Sequence, residues 1–325
     1  MVKTSSLHPP VVRKLSRDDP DFAAAIHCAL NVQLPATPGK PDRSVTDFLG
    51  DAELQGTDAD LLFGAFDQQR LSAACVALCS PGGSALVLIG TSDAPERSLR
   101  GVEAVLRALQ PAAASRSLRV LQLLLSPESR DVAASVQAGG FRYLTRLIYL
   151  QRRCGTPTNQ TGDDPDLRWE SYTPAREALF QDAVARTYAQ SQDCPELTGV
   201  RPMSDVLAGH RTAGVYDPRL WSVALRGAQP VGVLLLNRIP RRRALEIVYM
   251  GVAQVARGTG VANALLHRAV ETAALQSATN LALAVDVRNT PARRVYQRWN
   301  FTSTGERDAW IATPFAKGTC DDPTP

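Results

Sequence analysis

The run Arg257-Gly258-Thr259-Gly260-Val261-Ala262 carries the residues best suited to chemistry. It follows an apolar stretch, Leu245 to Val252, and opens a helical pattern, Val261 to Leu266. Glycines at a strand-to-helix junction let the backbone turn tightly and leave N–H groups pointing outward at a helix N-terminus. Aligned peptide dipoles add partial positive charge there, so the turn suits a phosphate or pyrophosphate. Arg257 adds a charge-assisted contact in this reading.

Other polar candidates are more diffuse. Asp193 and Glu196, in the loop Ser191 to Gly199, can bind an ammonium group. His210 follows a short helical segment and reads as a C-terminal charge complementing the dipole. His267, in mid-helix, reads as a surface residue, and Arg241-Arg242-Arg243 tops a hairpin as a solvated turn or as help for an anionic group. Six cysteines are scattered; Cys75 and Cys79 lie in an apolar stretch and are expected to pack. Without a CxxC or HxxxH pair no metal is expected. Cys194 has no local base or oxyanion site, which argues against a covalent nucleophile.

The elements that must hold these groups fit a chain of 325 residues, long enough for two domains. With 44% hydrophobic and 21% charged residues the composition is globular, and the net charge of +4 is too small to call for nucleic acid. No apolar run approaches membrane-spanning length and no secretory h-region opens the chain, so a reducing cytoplasm is the expected setting.

The organisation is a repeat. Phe141 and Phe301 stand 160 residues apart, and the same offset aligns Leu121, Leu123 and Leu125 with Leu281, Leu283 and Val285. It also aligns Ala85 to Ile89 with Leu245 to Tyr249, and Leu71 to Cys75 with Val231 to Leu235. Each copy reads as strand, hairpin, strand, helix, strand, helix, strand. In the second copy, strands are expected at Trp221 to Leu225, Val231 to Asn237, Leu245 to Val252 and Leu281 to Val287. Helices are expected from about Gly260 to Ser277 and from Pro291 to Trp299, with Trp310 to Ala312 as a last strand. Composition places the first domain at 1–151, a linker at 152–166, the second domain at 167–317 and a frayed tail at 318–325. Strand alternation puts Glu246, Val248 and Met250 on one side and Ile247 and Tyr249 on the other.

With the repeat in place, the second copy resembles the GCN5-related N-acetyltransferase (GNAT) family over about residues 167–312. Arg257, Gly260 and Ala262 match the family's acetyl-CoA signature (Gln or Arg, two residues, Gly, one residue, Gly or Ala). Met250-Gly251-Val252 ends the preceding strand, and Asn289-Thr290-Pro291-Ala292, Tyr296 and Asn300-Phe301 resemble the family's N-x-x-A, Y, G-F segment, with Asn300 a mild departure. The resemblance implies an α/β (α+β) fold of two tandem GNAT-like domains, each a twisted, mixed, mostly antiparallel sheet flanked by helices. It implies that Met250 and Val252 hold the pantetheine arm by backbone amides beside a splay in the sheet. The pyrophosphate falls to Arg257, Gly258, Thr259, Gly260, Val261 and Ala262, with Asn289 as a further cofactor contact. Tyr296 is then the general acid and Glu246 the base, and Asp193 and Glu196 lie in the substrate wall.

In the first copy the signature positions are Arg97, Arg100 and Val102, while Asn289 and Tyr296 become Ser129 and Val136. That copy is expected to be degenerate, a plan similar to the tandem mycothiol synthases. The function implied is direct transfer of acetyl from acetyl-CoA, as cosubstrate and without metal, to a primary amine of a small molecule. Protein N-terminal or lysine acetylation and a non-catalytic acyl-CoA-binding module are the rivals. No nucleic-acid or membrane partner is expected, and either a monomer or a homodimer is compatible.

Overall fold

The computed structural model describes residues 9–31, 45–92, 95–156, 160, 162, 164–239 and 242–314, without the side chains of 31 and 95–97. Cys320, Arg241, the side chain of Arg97, the tail from 318 and part of the expected linker lie outside them. Two compact units form: one of 1–53, 57–143 and 309–325, the other of 54–56 and 144–308.

In unit 1 the elements are β1 Val11–Leu15, α1 Phe22–Asn31, α2 Val45–Leu54, β2 Asp58–Asp67, β3 Arg70–Ser80, β4 Ser84–Thr91, α3 Pro95–Ser115, β5 Val120–Leu125 and α4 Arg130–Ala138. The strands lie in chain order, antiparallel except for the parallel pair β4/β5. Their alternating side chains feed one core that includes α3 and Phe141, and another beneath α1 and Phe48. Cys75 and Cys79 pack in the first core as expected, and burial pushes the Cys79 thiol up to about 12.

Unit 2 comprises β6 Arg142–Arg153, β7 Leu167–Ser171, α5 Glu177–Tyr188, α6 Met203–Arg211, β8 Trp221–Arg226, β9 Gln229–Ile239, β10 Ala244–Val252, α7 Val261–Leu275, β11 Asn280–Asp286, α8 Thr290–Arg298 and β12 Thr302–Ala312. The sheet order is β6-β11-β10-β9-β8-β7, parallel only between β10 and β11. Residues of α7 and α8 pack on one face with Leu245, Ile247 and Leu283. On the other, α5 and α6 cover Trp221, Val233 and Leu235. No described helix is long and apolar enough to cross a membrane.

The offset of 160 carries through the elements: α4 and α8 match end to end, and α3 and α7 end on counterpart residues, Ser115 and Leu275. The contact boundaries fall at 143/144 and 308/309, away from the linker read from composition. The cause is strand pairing. β6, which closes the first copy, pairs antiparallel with β11 from Asn280↔Arg153 to Asp286↔Leu147. The end of β12 places Trp310 and Ala312 in the core of unit 1. Arg152, where the linker was expected to begin, is 2% exposed and donates to the Trp299 carbonyl at 2.9 Å. The last strand also begins earlier than Trp310, at Thr302.

Candidate functional site

In unit 2, β10 pairs with β11 only from Ala244↔Asn280 to Glu246↔Ala282, then continues beside β9 to Val252↔Gly232. The strands part after Glu246. Ala253 N–H bonds the Val231 carbonyl on β9 at 2.9 Å, so by strand alternation the amides of Val252 and Met250 face the open edge. Beyond Val252 the chain makes a short 3-10 turn, Gln254–Ala256, and reaches the glycine turn. Gly258 and Gly260 adopt φ +80 and +93, and a Cβ at either would meet nothing within 4 Å. Gly260 caps α7, whose first N–H groups have no intrahelical acceptor. An open, positively polarised cradle therefore follows directly from an open strand edge, which fits a pyrophosphate joined to an extended arm.

Arg257 has a different use from the one expected. Its guanidinium donates to the carbonyls of Ala189 at 2.7 Å, Gln190 at 3.0 Å, Thr187 at 3.2 Å and Val252 at 3.3 Å. It fastens the C-terminal end of α5, whose last carbonyls lack helical partners, to the glycine turn. Gly251 permits this closeness, since a Cβ there would lie 2.6 Å from Thr187. Asn289 is also engaged locally. It caps α8, its side-chain oxygen accepting from Ala292 N–H at 3.3 Å.

A register shift in β10 between Ile247 and Tyr249 overturns the simple alternation expected there. Ile247 and Met250 pack with the α7/α8 core, whereas Val248 and Tyr249 join the α5/α6 core. One extra residue in the strand flips every later side chain to the other face. Glu246, opposite Asn237, thus shares its face with Tyr249 rather than Met250. It is half-buried, and burial raises its carboxyl above the usual range, with Arg242 opposing.

Tyr296 is 6% exposed on α8, its ring 5.6 Å from Phe301. Burial first, then the nearby Asp193 charge, raise its phenol well above the ordinary value, so it holds its proton at neutral pH. Asp193 is exposed as a residue, yet the packing around its carboxyl desolvates and raises it, and its Oδ1 accepts the Asp286 N–H at 2.9 Å. Glu196 is engaged by Arg288, with bonds of 2.6 and 3.0 Å, and Arg288 also binds Asp286 at 2.7 Å. The arrangement pins the loop to the end of β11 and occupies Glu196, while Asp193 is the loop carboxylate whose charge acts on Tyr296. Asp193, Cys194 and Asp286 could surround a cation by distance, yet Arg288 already neutralises the Asp286 side. Burial, Asp193 and Asp286 push the Cys194 thiol far up, against any nucleophilic role.

Sequence reasoning missed the aromatic wall. Tyr249 lies 5.8 Å from Tyr188 and 5.2 Å from His210, and its hydroxyl is 2.7 Å from Thr187 Oγ1. His210 is not the helix-end charge expected: burial, then Arg201, lower it to about 4, and its Nε2 is buried without a partner among the described residues. His267 is half-buried, its ring 6.3 Å from Trp299.

Among its described residues the first copy has no such cradle. Gly101, the counterpart of Val261, lies inside α3, which begins at Pro95, so the residues standing where 257–260 make the turn are helical. Arg100 is exposed and Val102 fully buried.

Residues 176–301 match the model of the Acetyltransferase (GNAT) family. A search of the curated proteins finds no match. Among solved structures, a GCN5-related N-acetyltransferase from Sphaerobacter thermophilus aligns with TM-score 0.64 at 17% identity, over 94% of this chain and 96% of that one. A tandem GNAT protein from the clavulanic acid biosynthesis pathway aligns with TM-score 0.56 at 14% identity, over 95% of this chain and all of the other. The chain thus has the tandem GNAT fold, and within it residues 176–301 match the Acetyltransferase (GNAT) family model.

Proposed function

We propose that unit 2 is an N-acetyltransferase that takes acetyl from acetyl-CoA and passes it directly to a primary amine of a small molecule. The observation that carries this reading is the parting of β10 from β11 after Glu246, leading through outward amides to the Gly258–Gly260 cradle. Met250 and Val252 would hold the pantetheine arm, and the turn with the first amides of α7 the pyrophosphate. The cosubstrate, when bound, supplies a thioester carbonyl open to attack.

Direct transfer needs a neutral amine and a protonated leaving thiol. Glu246, half-buried on the face beside the splay, takes the amine proton. Tyr296, kept protonated by its surroundings, returns one to the departing sulfur. Asp193 adds negative charge that draws an ammonium toward Tyr296.

Thiol release from acetyl-CoA across a panel of primary amines tests the reading. Turnover with at least one amine is expected, together with a loss on Tyr296→Phe of roughly a hundredfold and acetyl-CoA affinity retained. Binding without release for any amine would favour a binding module, and release only with peptide amines would favour a protein acceptor.

A further inference from the structure

The face of unit 2 that carries Glu246 is only partly covered. Glu246 pairs with Ala282, and Ala284 pairs with Tyr149 on β6. Paired residues share a face and so do alternate ones, so Glu246, Ala282, Ala284 and Tyr149 line one trough. The α5/α6 core reaches β8, β9 and β10 only, and Ala284 stays exposed, its methyl group leaving a low floor. Beyond β6, Arg146 pairs with Asp308 at 2.7 Å and Glu306 at 3.5 Å on β12. These positions share the face of Arg146, which leaves Arg307 on the face of Tyr149. Burial first, then Glu246, raise the Tyr149 phenol while Arg307 and Arg242 oppose, and burial raises the Glu246 carboxyl while Arg242 opposes. Neither Arg242 nor Arg307 has an ion-pair partner among the described residues, and Arg307 is half-buried.

Arg242 beside Glu246 and Arg307 near Tyr149 oppose a plain ammonium brought to this part of the face, and a part-buried cation such as Arg307 without a counter-charge is unfavourable. Both features are resolved by an anion, which the planar arginine fork binds well. We infer that the acceptor is an amine that also carries an acidic group, carboxylate or phosphate, held by Arg307 and Arg242 while the amine meets Glu246. The inference rests on the acetyltransferase reading of unit 2. Glu246 and Tyr149 stand two strand spacings apart, about 10 Å, so several atoms separate amine from anion.

Hexylamine, 6-aminohexanoate and 6-aminohexyl phosphate, compared by thiol release with the full chain, provide the test. An acidic amine should exceed hexylamine in kcat/KM by roughly tenfold or more, and the better one names the anion. Arg307→Gln should bring the ratio of acidic over neutral amine near one, with acetyl-CoA affinity by calorimetry reporting an intact fold. Equal use of hexylamine, or a preference that survives Arg307→Gln, would overturn the inference. If no amine releases thiol, the acetyltransferase reading fails by itself. Calorimetric binding of 6-aminohexanoate then decides: binding weakened in Arg307→Gln supports the trough, and no binding, or binding unchanged in that variant, refutes it.

Discussion

Arg257 Nη2 lies 2.7 Å from the carbonyl oxygen of Ala189, across a sequence separation of 68 residues. This bond and its three companions tie the glycine turn to the end of α5, where the loop toward Asp193 begins. The glycine turn and the loop of Asp193 are thereby held as one piece.

Arg257→Lys should loosen both. A lysine ammonium is a compact charge and cannot span four carbonyls as the planar guanidinium does. For this exposed group the expected loss is about 1–2 kcal/mol, with faster amide exchange at 187–192 and higher KM for acetyl-CoA and amine alike. Unchanged exchange, with only acetyl-CoA affinity reduced, would instead return Arg257 to the phosphate.

Gly258 and Gly260 hold φ values that L-residues reach at a cost of about 1–2 kcal/mol, and the open space around them means the cost is conformational. Gly260→Ala should weaken acetyl-CoA about tenfold by calorimetry. Arg100→Gly should not create a second site, because α3 runs through the counterpart of the turn. A stoichiometry rising from one to two acetyl-CoA per chain would contradict that account.

The acid limb of the kcat/KM profile should report Glu246. Its folded carboxyl is raised above the ordinary value, so activity rises with pH as the group deprotonates, at a pH above the usual carboxylate range. Glu246→Gln should lower turnover and flatten that limb. A limb of unchanged position in the variant would remove Glu246 as the base.

Much of this was legible in sequence, for identifiable reasons. The glycine turn announces itself because φ > 0 favours one residue type, and the repeat because one ungapped offset aligns several runs. The face of Tyr249 was not legible, since alternation contains no signal for the register shift beside Val248. Nor was the use of Arg257, whose acceptors are carbonyls in a distant segment. The pairing of β6 with β11 was hidden for another reason: its apolar pattern is the same whichever sheet it joins.

His210 should make the fold sensitive to acid. Its folded value, about 4, lies below the ordinary 6.5, so the unfolded chain binds the proton more readily between them. Stability is then full above about pH 6.5 and falls as pH drops toward 4, by up to about 3 kcal/mol. Denaturant titrations at pH 7 and pH 5 should show the drop, and His210→Gln should reduce the difference between them. An identical drop in the variant would assign it to other groups.

Fragment boundaries test the pairing of β6. A fragment of 144–308 keeps the seven register pairs of β6 with β11, the buried Ile148 and the Arg152 bond to the Trp299 carbonyl. A fragment of 167–317, cut where composition changes, loses all three and leaves β11 with an unpaired edge. The first should melt cooperatively and the second should melt lower or aggregate. A fragment of 1–151 should also be weak, because Trp310 and Ala312, part of the unit 1 core, are missing from it. Equal thermal stability of 144–308 and 167–317 would mean that β6 contributes little to unit 2, and the division at 143/144 would have no energetic meaning.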